Sequence, residues 1–151
     1  MTDYAANYPR DVAVDERVER FISTFYAISD TPSRNNDWVE CFAPDALLVV
    51  GDQRARGVEE IRRLREGMWD QVKSRRHRLD KVFPAAFESP EHEPGGEGRR
   101  RRRFEYMLHG AVELELELKS GEQLVREWAG RAVLTDGEEG LKYALYQVYL
   151  A

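Results

Sequence analysis

The chain has one cysteine, Cys41, in 151 residues. No intramolecular disulfide can form, and a cysteine-based zinc cluster is nearly excluded. Three histidines are too dispersed to show metal-ligand spacing, so no metal is expected. The apolar runs fall well short of the ~18 residues of a membrane-spanning helix, which argues against a membrane partner. A basic excess is also lacking. The net charge is −5 and the pI about 5.3, unlike a dedicated nucleic-acid binder. The one basic run, Arg99 to Arg103, follows Glu88, Glu91, Glu93 and Glu97, which can neutralise it locally, and no nucleic-acid partner is expected. There is no GxGxxG, phosphate loop, HExxH or GxSxG. Residues 1–10 are polar, without the apolar core of a secretory signal. A cytoplasmic protein is the default expectation.

What is present suits one α+β domain. Hydrophobic residues make up 42% of the chain, enough for a single core at this length. Residues 1–11 read as a flexible arm and 12–151 as the domain. Val14, Val18, Phe21, Ile22 and Phe25 follow helical spacing and predict a helix over 12–29. The stretch 30–34 contains Pro32 and breaks it. Asn36 or Asp37 can cap a short second helix with Trp38, Val39 and Phe42, ended by Pro44. A short strand is expected over 46–50. After Gly57, the residues Val58, Ile61, Leu64, Met68 and Val72 form the stripe of a third helix, with Arg62, Arg63 and Arg65 largely off it. Four long strands follow, over 77–88, 104–119, 123–135 and 141–150. Short turns join most of them, which implies antiparallel pairing. A twisted sheet with helices on one face curls into a cone, and the wide end can hold one pocket.

Ionisable residues inside these strands are the sharpest functional signal. His77 opens one strand and His109 lies within another. Glu127 and Arg131 share one face of a third with Val125, Ala129 and Val133. The opposite face carries Leu124, Arg126, Trp128, Ala132 and Leu134, and apolarity alone leaves either face free to point inward. His109 shares its parity with Glu113, Glu115 and Glu117, whereas Leu108, Val112, Leu114 and Leu116 have the other. A β-bulge near Gly110 would bring His109 inward. Asp30 ends the first helix with Tyr26 one turn earlier, and Arg34 lies in the loop beyond. Trp69, Tyr106 and Tyr146 belong to an aromatic set, with Met68, Phe83, Trp128 and Tyr143, that reads mostly as core and partly as pocket wall.

The run Phe25-Tyr26, Asp30, Asp37-Trp38, Phe42, Pro44-Asp45-Ala46, Gly57 and Glu59-Glu60-Ile61 resembles the SnoaL-like branch of the nuclear transport factor 2-like superfamily. Met68-Trp69, His77, Lys81-Val82-Phe83 and the ending Tyr146 to Leu150 resemble its small fungal members. The resemblance covers roughly residues 12–150. It implies a cone-shaped curved antiparallel sheet closed by three N-terminal helices, a homodimer, and chemistry without a cofactor. The superfamily holds isomerases, cyclases and dehydratases of secondary metabolism as well as non-catalytic binding modules, so fold alone does not give function. Comparison with scytalone dehydratase, a superfamily member, implies that Glu127, Ala129 and Arg131 face inward. It also implies catalytic positions at His109 and His77, and a pocket role for Asp30 and Tyr26. Comparison with semipinacolase-type members adds Arg34. The expectation is acid/base catalysis by Glu127 and His109, with Arg34 and Asp30, on a hydrophobic polycyclic metabolite. His77, Arg131, Tyr26, Trp69, Tyr106 and Tyr146 would contact the substrate. The alternative is a ligand-binding or dimeric interaction module of the same fold.

Overall fold

A computed structural model describes residues 4–87, 103–117 and 123–150. The glutamate-rich loop and most of the arginine run lie outside them. Helix α1 spans Glu16–Ser29, not 12–29, because Asp15 caps it by accepting from the Arg17 backbone N–H, which satisfies one orphan donor of the first turn. Helix α2 is Asn35–Glu40. Strand β1, Phe42–Val50, starts earlier than expected. Its first part is irregular between Phe42 and Leu47, and Pro44 fits there because a regular ladder would demand an N–H it lacks. A four-residue strand β2, Gln53–Arg56, then turns back on β1 and was not foreseen. Helix α3 is Gly57–Gly67. The long strands are β3 Val72–Ala85, β4 Arg103–Leu116, β5 Gln123–Gly137 and β6 Gly140–Leu150. Among the described residues no helix is long and apolar enough to cross a membrane.

The six strands form one curved, unclosed sheet in the order β2-β1-β6-β5-β4-β3. Every neighbouring pair is antiparallel except β1 with β6, which is parallel. The three helices pack on one face of it, and this is the α+β cone that the element order implies. Ile22 and Phe25 from α1, Trp38 from α2, Ile61 from α3, and Leu48, Leu108, Leu134 and Tyr143 from the sheet are essentially inaccessible. Each such side chain contributes roughly 1.5–3 kcal/mol through burial. Phe25 is the hub, with ring contacts to Trp38, Phe42, Tyr143 and Tyr146.

Arg65 departs from the reading that places it off the stripe of α3. It is fully buried. Its guanidinium donates to the carbonyls of Ser29, Ile28 and Thr31 and to Asn35 Oδ1 at 2.9–3.4 Å. These carbonyls end α1, where helices leave acceptors unpaired and favour positive charge. Burial lowers the Arg65 pKa to about 10, helped by the nearby charge of Arg75.

A one-residue irregularity in β3 decides what faces the interior. Leu79 pairs with Gly110 but Lys81 pairs with His109, so Asp80 is the extra residue of a β-bulge. Arg75, His77 and Leu79 point inward on one side of it, Val82 and Pro84 on the other. The bulge sits against Gly110, where an added Cβ would lie 2.0 Å from the Arg78 carbonyl oxygen. Only glycine allows that approach. Residues 4–8, expected within a loose arm, are docked beside the same place. Asn7 donates its N–H to the Asp80 carbonyl and accepts from Val82 N–H, and Tyr4, Ala6 and Tyr8 pack against the core.

Candidate functional site

The bulge carries His77 to the inner face, where it meets the end of α1. Asp30 Oδ1 lies 2.5 Å from His77 Nδ1, and Asp30 Oδ2 accepts the His77 backbone N–H at 2.7 Å. Tyr4 donates its hydroxyl to the same Oδ2 at 2.7 Å. The two side chains are 6% and 12% exposed. One carboxylate thus fixes the imidazole by its ring and by its backbone. With Nδ1 engaged, Nε2 is the ring nitrogen left for another partner. Both residues stand among the sequence candidates, although 47 positions of chain separate them.

Aromatic side chains wall the pair. The Tyr26 ring lies 5.1 Å from that of His77, and Trp128 stands edge-on to His77 at 5.6 Å. Tyr26 and Tyr146 hydroxyls share a 2.8 Å hydrogen bond. A second buried pair, Tyr106 and Tyr143, does the same, also at 2.8 Å. Burial raises the pKa of all four phenols well above the ordinary value, so each remains a neutral hydroxyl at physiological pH. Arg75 precedes His77 by two on the same strand face, and its guanidinium lies 5.3 Å from the Trp69 ring. Burial lowers the Arg75 pKa. Arg75 was not among the candidates, and Trp128 stood only within the aromatic set read mostly as core. Two signals could have found them: Arg75 shares the parity of His77, and Trp128 shares that of Ala132 and Leu134.

The other expected residues do not join this cluster. The inward face of β5 is that of Trp128, 4% exposed, and Ala132 and Leu134, both 0%. Glu127 is therefore exposed on the outer face. Arg131 is on that face too, bonded to Glu105 at 3.2 Å. His109 also points outward. Its side chain is 47% exposed, 3.5 Å from Asp80 and stacked on Phe83. The β4–β5 ladder runs unbroken from Tyr106 to Leu114, and the bulge falls on the neighbouring strand, so nothing turns His109 inward. Arg34 is exposed and pairs with Asp37 at 2.8 Å. A cavity of about 440 Å³ lies on the outer face, lined by Phe83, Phe87, Met107 and His109 among others, and not within the cone where one pocket was expected.

No family model matches the sequence, and neither does any curated protein. Solved structures do. A provisionally named scytalone dehydratase from Novosphingobium aromaticivorans superposes with a TM-score of 0.73 at 10% identity, covering 90% of this chain and 83% of that one. A provisionally named dehydratase of the NTF2-like family from Streptomyces avermitilis gives 0.70 at 10% identity, covering 90% and 94%. A provisionally named calcium/calmodulin-dependent protein kinase II association domain from Xanthomonas campestris gives 0.73 at 12% identity, covering 100% and 96%. At such identities the likeness is one of fold, and that fold carries both dehydratase and association-domain names.

Proposed function

We propose that this chain, which has the nuclear transport factor 2-like fold, is a cofactor-independent acid/base enzyme acting on a small hydrophobic metabolite. Isomerisation, cyclisation and loss of water are the reactions such a site serves. The observation that carries the reading is the Asp30–His77 pair, nearly buried and held by three hydrogen bonds. A polar network of this kind is costly to place in a small core and is repaid when the imidazole has work to do.

His77 Nε2 accepts a proton from an acidified C–H, or gives one to a departing hydroxyl. Asp30 holds the ring in one orientation and stabilises the imidazolium as it forms. The Tyr26–Tyr146 hydroxyl pair donates to oxygen on the substrate, since both phenols stay protonated. Trp128, Tyr26 and Trp69 supply the apolar walls that leave water out and strengthen these polar contacts.

The test is turnover of a panel of polycyclic alkaloids, terpenoids and aromatic polyketides, followed by mass and chromatographic shift. His77→Asn should lose at least about a hundredfold in kcat, as expected for a general acid/base. His109→Asn and Glu127→Gln, on the outer face, should stay within about twofold. Equal turnover by His77→Asn, or conversion of nothing in the panel, defeats the proposal.

A second reading is a dimeric interaction module. Phe83, Met107, Val125 and Tyr149 are exposed on strands β3 to β6, and the 440 Å³ cavity adjoins the first two of them. A homodimer built on this face is compatible with the enzyme reading, because it leaves the opposite, helix-covered face free.

A further inference from the structure

Buried donors beside the Asp30–His77 pair lack acceptors. Trp69 Nε1, Trp128 Nε1 and Arg75 Nε are buried, and among the described residues no acceptor meets any of them. Leaving a buried donor unmade is more costly than the bond is favourable. A native fold keeps only a few such groups, and here all three border one patch. Trp128 packs on His77, Arg75 is two residues from it on the same face, and Trp69 lies against Arg75.

Arg65 provides the contrast. More deeply buried than Arg75, it is bonded to four acceptors that end α1 and begin α2. Among the described residues Arg75 makes one bond, from Nη2 to the Met68 carbonyl at 2.7 Å. Among the described residues no carboxylate lies within ion-pair distance of it. Asp30 acts on it only through space, and both oxygens of Asp30 are committed to His77 and Tyr4. A half-buried guanidinium whose Nε is sealed from water with no acceptor is costly, and its planar fork matches a carboxylate.

We propose that Arg75, with the indole N–H groups of Trp69 and Trp128, forms a carboxylate-binding cradle beside His77, so that the substrate is a hydrophobic carboxylic acid. This rests on the Asp30–His77 site being the one that binds substrate. The apolar body of the ligand lies against Tyr26 and Trp128. Its carboxylate takes the unused donors, and the carbon next to it comes within reach of Nε2.

The chain's three tryptophans make the proposal directly observable. Their indole N–H groups give separate NMR signals, and Trp38 is an internal control because its N–H is already bonded to Ser29 Oγ. Benzoate and phenylacetate should move the Trp69 and Trp128 signals saturably and leave that of Trp38 in place. Phenylacetamide, of the same shape without the charge, should bind at least about tenfold more weakly, as a lost charge-assisted bond implies. Arg75→Gln should weaken phenylacetate by a similar factor, and Arg75→Lys by less. The native Trp38 signal certifies that each variant is folded. Should Arg75→Gln not fold, the lysine variant and the amide decide. The cradle is refuted if neither acid moves the two signals, if the amide binds as well as the acid, or if Arg75→Gln binds undiminished. His77→Asn separates this from the catalytic reading. It should keep phenylacetate binding while losing turnover. Charge-dependent binding with turnover intact in that variant would fell the catalytic role and leave the cradle standing. Lost turnover without any carboxylate binding would do the reverse.

Discussion

Raising the pH through the range where tyrosine ionises should unfold this protein before it titrates its interior. Tyr26, Tyr106, Tyr143 and Tyr146 are buried, and desolvation holds each phenol in its neutral form. In the unfolded chain the same groups ionise near pH ~10. Above that point the native state binds more protons than the unfolded state, so stability falls as pH rises. Each retained proton weighs about 1.4 kcal/mol per pH unit. Four together give a limiting slope of about 5 kcal/mol per unit. Set against a typical total stability of about 5–15 kcal/mol, unfolding should be complete within roughly one to three units above the tyrosine pKa. Tyrosinate absorbance and far-ultraviolet circular dichroism, read on the same samples, check this. The buried phenols should ionise in one step with the loss of the native dichroism. Tyr146→Phe should shallow the slope by about a quarter. Stepwise ionisation of the buried phenols in a protein that keeps its native dichroism would refute the reasoning.

Asp30→Asn keeps the shape but removes the charge that accepts from Tyr4 and twice from His77, and should cost about 2–4 kcal/mol in urea unfolding. A loss below about 1 kcal/mol would show that the pair is not the buried network described here. Gly110→Ala puts a Cβ 2.0 Å from the Arg78 carbonyl and should lower stability by about 3 kcal/mol or prevent folding; an unchanged melting temperature would deny the close approach. Arg65→Met leaves the carbonyls at the end of α1 without their donor. It should cost about 3 kcal/mol, seen as an early loss of amide protection around residues 28–35. Met107→Glu, on the outer face, should convert a homodimer to monomer in sedimentation with little change in melting temperature. An unchanged sedimentation coefficient would remove that face as the interface.

The existence and order of the three helices and most of the strands were legible because apolar spacing and turn residues are local signals, but the start of β1 and the junction of α3 with β3 were not: Val72, expected on the helix stripe, opens the strand. His77 was legible as a candidate because it interrupts a strand pattern, Trp69 and Tyr146 as members of an aromatic set, and Asp30 and Tyr26 through the resemblance. Their assembly was not, because it depends on how β3 lies over the end of α1. The face of β5 was ambiguous by apolarity, and resemblance resolved it the wrong way; the size of Trp128 beside Gly130 and Ala132 was the better guide. For His109 the need for a bulge was correctly read but the strand was not, since pairing tells which of two neighbouring strands carries the extra residue. Arg65 escaped notice because a buried cation has no sequence mark; only the three-dimensional gathering of carbonyls explains it.

The extra residue at position 80 sets the phase of side chains along β3. From Arg75 to Leu79 odd positions enter the cone; after the bulge, even ones do. Loss of a single residue there would leave composition, charge and hydrophobic content almost untouched, yet it would put one half of the strand out of step with the other. Either His77 and Arg75 would be turned to solvent, or Val82 would leave the core. An insertion in a hairpin turn is absorbed at its tip, whereas this one is a switch between two inventories of interior residues. A lineage carrying this fold could therefore acquire or discard its buried histidine by one codon's gain or loss. An ungapped comparison of two such chains would equate residues that face opposite ways.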